Sequence, residues 1–278
     1  MANILLTGAN GFVGSHLLAH LSKEHRITAI CYDEPNAGPC PGPSLDLRKV
    51  EEIDSFLDSN EMHFDALIHL AFILATDRNA KSMDLLYENL RIMENMVRLI
   101  KKLRPRKLIN FSSIAVYPNT DGRFGEKSEI RPSVNAEGLY GLAKFCSENI
   151  FDFFLRDEEI IISHLRISQI HGQGMRGDRI MSIFKKELEE KNTITVFGDG
   201  ERVSNFINIG KVISVVDGFL KEDLPGIFNV GDEDLSYAEL AERLIKKYGN
   251  RKSRLIKVKK GNRSKFFLDL RKLSKRDE

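Results

Sequence analysis

Short apolar runs alternate with longer amphipathic segments through the first 170 residues. Runs of 4–8 apolar or β-branched residues bounded by turn formers read as strands, and apolar positions recurring every three to four residues read as helices. On that basis strands are predicted at residues 3–7, 27–32, 66–70, 107–111 and 160–167, with helices at 12–21, 50–59, 83–103 and 140–155. The alternation therefore predicts an α/β fold built on a doubly wound parallel sheet. After residue 169 the punctuation changes. Glycine-rich turns at 171–174 and 198–200 bracket a helix at 179–190 and a strand at 193–197. A strand at 206–209, a helix at 212–220, a strand at 227–230 and a helix at 236–248 follow. The boundaries expected are a main domain over 1–168 with a return segment near 205–222, and a smaller C-terminal lobe over 169–204 and 223–278.

Composition narrows the partners. The chain has 278 residues, 42% hydrophobic and 29% charged, enough to bury a core and unlike a disordered or coiled-coil composition. The 42 basic and 40 acidic residues nearly cancel, which argues against nucleic acid or an anionic membrane as a global partner. One asymmetry remains: residues 246–278 hold 14 Lys and Arg against 3 acids. That segment reads either as a solvated face or as an anion-binding edge. Cys31, Cys40 and Cys146 form no CxxC pair, so neither a disulfide framework nor a zinc site is expected, and a reducing, cytoplasmic setting is the default. The longest apolar stretch, 66–75, is interrupted by His69 and falls short of the ~20 residues of a membrane span. Met1-Ala2-Asn3 carries no basic region ahead of its apolar run, so no signal peptide is expected.

The first strand runs into Thr7-Gly8-Ala9-Asn10-Gly11-Phe12-Val13-Gly14-Ser15. Glycines there permit a tight turn, close backbone approach to a pyrophosphate and close helix packing, and the helix N-terminus behind them favours an anion. Gly8, Asn10, Gly11, Phe12, Val13 and Gly14 are thus candidate cofactor contacts. Asp33 stands 25 residues after Gly8, at the end of the second strand. A carboxylate there accepts from ribose hydroxyls and repels a 2′-phosphate, and the next cation is Arg48, so NAD is the expected cofactor.

The spacing of Gly8, Gly11 and Gly14 resembles that of the short-chain dehydrogenase/reductase superfamily, in its extended epimerase/dehydratase branch. Further segments match in order. Asp46-Leu47 resembles the position that holds the adenine amino group, and His69-Leu70-Ala71, followed by Phe72, resembles the segment whose backbone lines the cofactor. Asn89 resembles the helix asparagine that comes next. Ser113, four residues before Tyr117, looks like the catalytic Ser/Thr, Tyr140 and Lys144 are similar to the family's YxxxK, and Leu165-Arg166 to its LR strand. The resemblance implies a Rossmann domain over 1–168, a substrate-binding lobe beyond it, and catalysis by Ser113, Tyr140 and Lys144. The residue types make the same chemical sense. Tyr140 and Lys144 lie four apart on one helix face, and an ammonium beside a phenol lowers its pKa from ~10 toward neutrality, making a general base. Ser113 would hydrogen-bond the same substrate oxygen.

Hydride transfer at a secondary alcohol carbon is the step such a set supports. The family's 4,6-dehydratases carry an Asp-Glu pair where this chain has Ile114 and Ala115, and its fucose-forming epimerase-reductases carry a cysteine where Ala115 stands. Neither activity is expected. The reading is an NAD-dependent epimerase or dehydrogenase acting at C4 of a nucleotide-activated sugar, with a ketoreductase of a 4-keto sugar or other small carbonyl as the alternative. A catalytically silent dinucleotide sensor or scaffold is the non-enzyme alternative, and it has no use for a general base. In the lobe, Gln169 replaces the family's asparagine and Ser204-Asn205 its Arg-Asp, which shifts the expected phosphate-binding role to Arg202 and Lys259. Residues 83–103 carry two apolar stripes, through Leu86, Leu90, Met93, Val97 and Ile100 and through Leu85, Ile92, Met96, Leu99 and Leu103. One stripe suffices for a sheet contact, so the second is assigned to a symmetric homodimer.

Overall fold

The computed structural model describes residues 1–32, 42–59 and 63–274. Its elements begin with β1 (Asn3–Thr7), α1 (Phe12–Leu21), β2 (Arg26–Ile30), α2 (Val50–Asp58), β3 (Ala66–His69), α3 (Met83–Leu103) and β4 (Lys107–Ser113). Next come β5 (Gly122–Phe124), α4 (Gly138–Phe154), β6 (Ile161–Ile167), β7 (Gln169–His171), α5 (Ile180–Lys191), β8 (Thr193–Phe197) and β9 (Val203–Asn208). These are followed by α6 (Ile209–Lys221), β10 (Gly226–Val230), β11 (Glu233–Ser236), α7 (Tyr237–Tyr248), β12 (Arg254–Val258), β13 (Phe266–Leu268) and the single turn α8 (Arg271–Ser274).

Two units divide the chain. The first comprises Met1–Pro118, Glu129–Ile167 and Lys211–Phe228. Its sheet has the strand order β10-β6-β4-β3-β1-β2, and β2, β1, β3, β4 and β6 pair in parallel. Ile4, Leu5, Leu6, Leu67, Ile68, Leu108 and Ile109 are at most 1% exposed, so consecutive residues of these strands are buried on opposite faces. Beyond β2, among the described residues, an isolated bridge pairs Cys31 with Ser44. On one face Leu5, Leu67 and Leu108 meet Ile53 and Phe56 of α2, Ile92, Met96 and Leu99 of α3 and Phe151 of α4.

α3 packs between α2 and α4, and this revises the reading of its two stripes. Met93, Met96, Leu99 and Ile100 are fully buried, and Leu85, Leu86 and Ile92 nearly so. The second stripe finds its apolar neighbour within the chain, in the flanking helices. On α4, by contrast, Phe153 and Phe154 remain 60% and 49% exposed.

Lys107, at the start of β4, is a buried cation. Its Nζ donates to the carbonyls of Phe219, Leu220 and Glu222 at 3.2, 2.8 and 2.8 Å and pairs with Asp223 at 3.0 Å. These groups lie at the C-terminal end of α6, where the helix dipole and unsatisfied carbonyls favour a cation. Lys107 thereby fastens the return segment. Cys31 is buried and disulfide-bonded, contrary to the free thiols expected, while Cys146 is free.

The second unit comprises Asn119–Ser128, Ser168–Gly210 and Asn229–Glu278. It contains a three-stranded sheet ordered β11-β9-β7 and two parallel pairs, β12 with β8 and β13 with β5. Phe184, Leu188, Ile194, Val196, Phe206, Leu240 and Leu244 form its core. The basic segment is built into this unit. Phe266 is 5% exposed and stacks on Phe124 with centroids 4.8 Å apart, and β12 runs alongside β8 while Lys257, Lys259 and Lys260 face solvent.

Candidate active site

The strand order reverses between β1 and β3, and ligands of open α/β sheets bind outside the carboxyl ends of the strands at such a point. The loops leaving those two strands touch. Gly8 has φ 70°, and a Cβ there would lie 2.8 Å from the Ala71 nitrogen. A Cβ on Gly14 would lie 2.1 Å from the Gly8 carbonyl oxygen, so α1 approaches the turn as only glycine allows. Thr7 Oγ1 accepts from the Leu70 and Ala71 nitrogens, each at 3.3 Å, and contacts His69 Nδ1 at 2.8 Å. Asn10 Nδ2 donates to the Tyr32 carbonyl at 2.8 Å, tying the loop to the end of β2. α1 begins at Gly11 with no side-chain cap and no acid in its first turn. The N–H groups of Phe12, Val13 and Gly14 therefore present the positive end of the helix. This cradle fits the pyrophosphate of a dinucleotide. Asp33 lies outside the described residues.

Asp46 is 9% exposed and its carboxylate is engaged by Arg48, through Nε at 2.8 Å and Nη2 at 2.9 Å. Those hydrogen bonds hold its pKa below the usual carboxylate range against the opposing effect of burial. Arg48 also donates to Glu88 Oε2 at 2.9 Å and Tyr32 Oη at 2.8 Å, and its guanidinium lies 5.1 Å from the Tyr32 ring centroid. Sequence reading treats Arg48 only as a distant cation, but two carboxylates compensate its charge at the end of β2. Leu47 belongs to the hydrophobic core. Asn89, fully buried, accepts from the Ile73 nitrogen and donates to the carbonyls of Ile73 and Leu85. Its amide thus shapes the loop that carries Leu70, Ala71 and Phe72.

Ser113 ends β4 and opens a single 3₁₀ turn, Ile114–Val116, its Oγ accepting from the Ala115 nitrogen at 3.1 Å. α4 packs against this turn because residue 141 is glycine: a Cβ there would lie 2.1 Å from the Ala115 carbonyl oxygen. Tyr140 precedes that glycine, half-buried, and its ring meets Phe72 edge-on with centroids 5.5 Å apart. One turn on, Lys144 is 4% exposed. Its Nζ donates to the Phe111 carbonyl at 2.5 Å and lies 3.6 Å from the Phe72 centroid and 5.8 Å from that of Tyr140. Burial pushes the Lys144 pKa down to about 7, opposed by the charge of Glu148. His69 is driven to about 3, by burial first and then by Lys144, and stays neutral. The trio expected from sequence thus gathers around one β4 end and one helix face, and the Phe72 ring touches both Tyr140 and Lys144. Sequence reading missed the buried group behind it: Glu148, one turn beyond Lys144, is bound by Ser112 and Arg166. The available signal was a carboxylate at the i+4 position of a largely apolar helix, opposite an arginine in an apolar strand.

In the second unit Gln169 Nε2 donates to Ser204 Oγ at 2.7 Å, consistent with the parallel pairing of β7 and β9. Arg202 lies with its guanidinium 5.0 Å from the Tyr237 centroid, and its buried Nε has no hydrogen-bond partner among the described residues. Lys259 is exposed, its carbonyl accepting from Arg263. Among the described residues no cluster of three or more His, Cys, Asp and Glu could hold a metal, and no helix is long and apolar enough to cross a membrane.

A crevice of this build takes a dinucleotide, and a Tyr–Lys pair on the adjoining helix is the equipment of proteins that move hydride, which sets the class as the Rossmann-fold nicotinamide-dependent enzymes. The model of the NAD dependent epimerase/dehydratase family matches residues 4–231, and the chain belongs to this family of the extended short-chain dehydrogenase/reductase type. It is accordingly an NAD-dependent enzyme. A dTDP-D-glucose 4,6-dehydratase of Dictyostelium discoideum is 24% identical over 266 residues, 87% of this chain and 61% of that protein. An uncharacterized UDP-glucose epimerase of Bacillus subtilis is 25% identical over 270 residues, 91% of this chain and 84% of its own length. The UDP-glucose 4-epimerase of Thermus thermophilus in complex with NAD superposes with a TM-score of 0.81 at 19% identity, covering 99% of this chain and 93% of that one.

Proposed function

We propose that the protein oxidises C4 of a nucleotide-activated sugar, either releasing the ketone as a dehydrogenase or re-reducing it as an epimerase. The observation carrying this is the buried Lys144 amine, 3.6 Å from the Phe72 centroid and one helical turn from Tyr140, whose ring meets Phe72 edge-on. In this reading Tyr140, its phenol acidified by Lys144, takes the proton of the C4 hydroxyl, and Ser113 hydrogen-bonds the same oxygen. NAD held by the Gly8–Gly14 cradle would supply the hydride acceptor for C4. Return to the opposite face inverts the carbon and gives an epimerase. Ile114 and Ala115 offer no acid or base after Ser113, so water elimination is not part of the proposal. We read the first unit as NAD-binding, with Gly8, Asn10, Gly11, Phe12, Val13, Gly14, Asp33, Asp46, Leu70, Ala71 and Phe72 on the cofactor and Asn89 supporting its loop. We read the second as the sugar-nucleotide lobe, where the unpartnered Arg202 Nε supports a phosphate role for Arg202, with Gln169 and Lys259 as further contacts.

The test supplies UDP-glucose and NAD and resolves the product sugars by chromatography. Tyr140→Phe should lower turnover by ~10² to 10⁴-fold while NAD affinity is retained. A variant that turns over at the parent rate would overturn the assignment. The homodimer stays in the proposal, supported by the exposed Phe153 and Phe154 rather than by α3. Light scattering should give a dimeric mass that Phe153→Glu halves, whereas Met96→Glu, in the core, would unfold the chain. A cytoplasmic setting was inferred from cysteine spacing, and the Cys31 disulfide pulls against it, so the oxidation state of Cys31 in fresh extract decides the point.

A further inference from the structure

Among the buried polar groups of the first unit, one carboxylate joins both halves of the proposed catalytic set. The Glu148 side chain is 2% exposed. Its Oε1 accepts from Ser112 Oγ at 2.5 Å and Arg166 Nε at 2.9 Å, and its Oε2 from Arg166 Nη2 at 2.6 Å. Arg166 in turn donates to Tyr117 Oη at 3.0 Å and lies 5.1 Å from that ring's centroid. Ser112 and Tyr117 are the residues at either side of Ser113 and its 3₁₀ turn. Glu148 and Arg166 therefore grip both ends of the segment presenting Ser113. On α4, Glu148 sits one turn after Lys144 and two after Tyr140, so all three share one helix face.

We propose that Glu148 is a positioning residue for this reaction: its buried carboxylate locks the Ser113 turn to α4 and supplies the counter-charge that keeps Lys144 an ammonium beside Tyr140. This rests on the proposed roles of Ser113, Tyr140 and Lys144. The electrostatic half follows from what faces Lys144. From β3 comes His69, neutral; from the loop after it, the Phe72 ring; from β4, the Phe111 carbonyl; from its own helix, Tyr140 and Glu148. On β6 lies Arg166, whose charge is met by Glu148. Among the described residues, Glu148 is the anion in that company. Burial alone would strip the Lys144 proton, and Glu148 acts against it. Without that carboxylate the Lys144 pKa falls further, so Tyr140 stands beside a neutral amine over more of the pH range and ionises at higher pH.

The experiment follows phenolate absorbance against pH for each protein minus its own Tyr140→Phe counterpart, with no substrate present, and in parallel the pH–rate profile with UDP-glucose and NAD. Glu148→Gln should move the Tyr140 titration up by about one pH unit or more. Where turnover is measured, the rate at pH 7 should fall by roughly tenfold and be regained as the pH rises, one unit of pKa being tenfold in the ionised fraction. Because Glu148→Gln leaves Arg166 buried without a partner, the double variant Glu148→Gln with Arg166→Met is run alongside. It strands no charge, and replacing both members of a buried pair is often tolerated. Glu148→Asp, which keeps the charge, should restore much of the parent titration. An unmoved Tyr140 titration in the folded double variant would overturn the inference, even if the rate drops. A shifted titration with no turnover of UDP-glucose by the parent would uphold Glu148's role and reject the substrate reading instead.

Discussion

Gly141→Ala separates the closeness of α4 to the Ser113 turn from every other property of the site. The glycine lies inside a helix, where alanine is favoured by ~1 kcal/mol on propensity alone. Against that, the new Cβ would lie 2.1 Å from the Ala115 oxygen, 2.8 Å from the Ala115 carbonyl carbon and 3.1 Å from Pro132 Cβ, whereas ordinary contact begins at 3.4 Å. Two of the three atoms are backbone, so no side chain can swing away. The helix and the turn must part by about 1 Å, at an overpacking cost of ~1–3 kcal/mol. The propensity gain offsets much of this, so the expected net loss of stability is only ~0–2 kcal/mol. Catalysis has no such compensation. Tyr140 is the residue before the glycine and Ser113 leads into the turn, and a misplacement of ~1 Å between groups sharing one substrate oxygen can cost ~10²-fold. The assay pairs kcat for UDP-glucose with urea unfolding of the same preparation. A hundredfold loss of kcat with stability nearly retained is the expected result. Parent-level kcat in the folded variant would refute the argument that this contact sets the Tyr140–Ser113 spacing.

Gly14→Ala should weaken NAD binding by roughly 10- to 100-fold, the equivalent of ~1–3 kcal/mol of overpacking, because its Cβ would meet the Gly8 oxygen at 2.1 Å and the Ala9 Cα at 2.8 Å. Titration calorimetry reads this directly, and an unchanged Kd would mean that the cradle does not hold the pyrophosphate. Lys107→Met keeps the volume of the stem but leaves three carbonyls without their donor, so a loss of ~2–4 kcal/mol in urea unfolding is expected. A change below ~0.5 kcal/mol would show that Lys107 does not fasten the return segment.

The parallel sheet was legible because short apolar runs alternate with amphipathic segments; α1, α3 and β8 fall on the expected residues. What escaped were β5, β7, β11, β12 and β13, three to five residues each. A strand that short shows no period, and Arg254–Val258, with Arg254, Ile256 and Lys257 exposed, reads as a solvated face until β8 is seen beside it. The stripes of α3 were counted correctly and assigned wrongly, since amphipathicity says that a face is covered and not by which neighbour. The spacing marked Ser113, Tyr140 and Lys144, and the structure places Ser113 at the end of β4 and the other two one turn apart on α4. The partners of Arg166 and Arg48 were not legible, because such charges are held by groups distant in sequence, Glu148 for Arg166 and Glu88 for Arg48. Phe72 was marked for its backbone, and only its ring's contacts with Tyr140 and Lys144 reveal a further part.

The order of strands in the first unit sets a schedule for synthesis. β6 is complete once Ile167 has been made, but the strand that covers its open edge, β10, begins only at Gly226. At ~5–20 residues per second, the growing chain therefore exposes an unpaired, largely apolar β6 edge for several seconds on the ribosome. The chain also passes between its units five times, so no single cut yields either one as an intact fragment. Nascent-chain capture by edge-binding chaperones should accordingly peak for lengths between these two strands and fall once Val230 has cleared the exit tunnel.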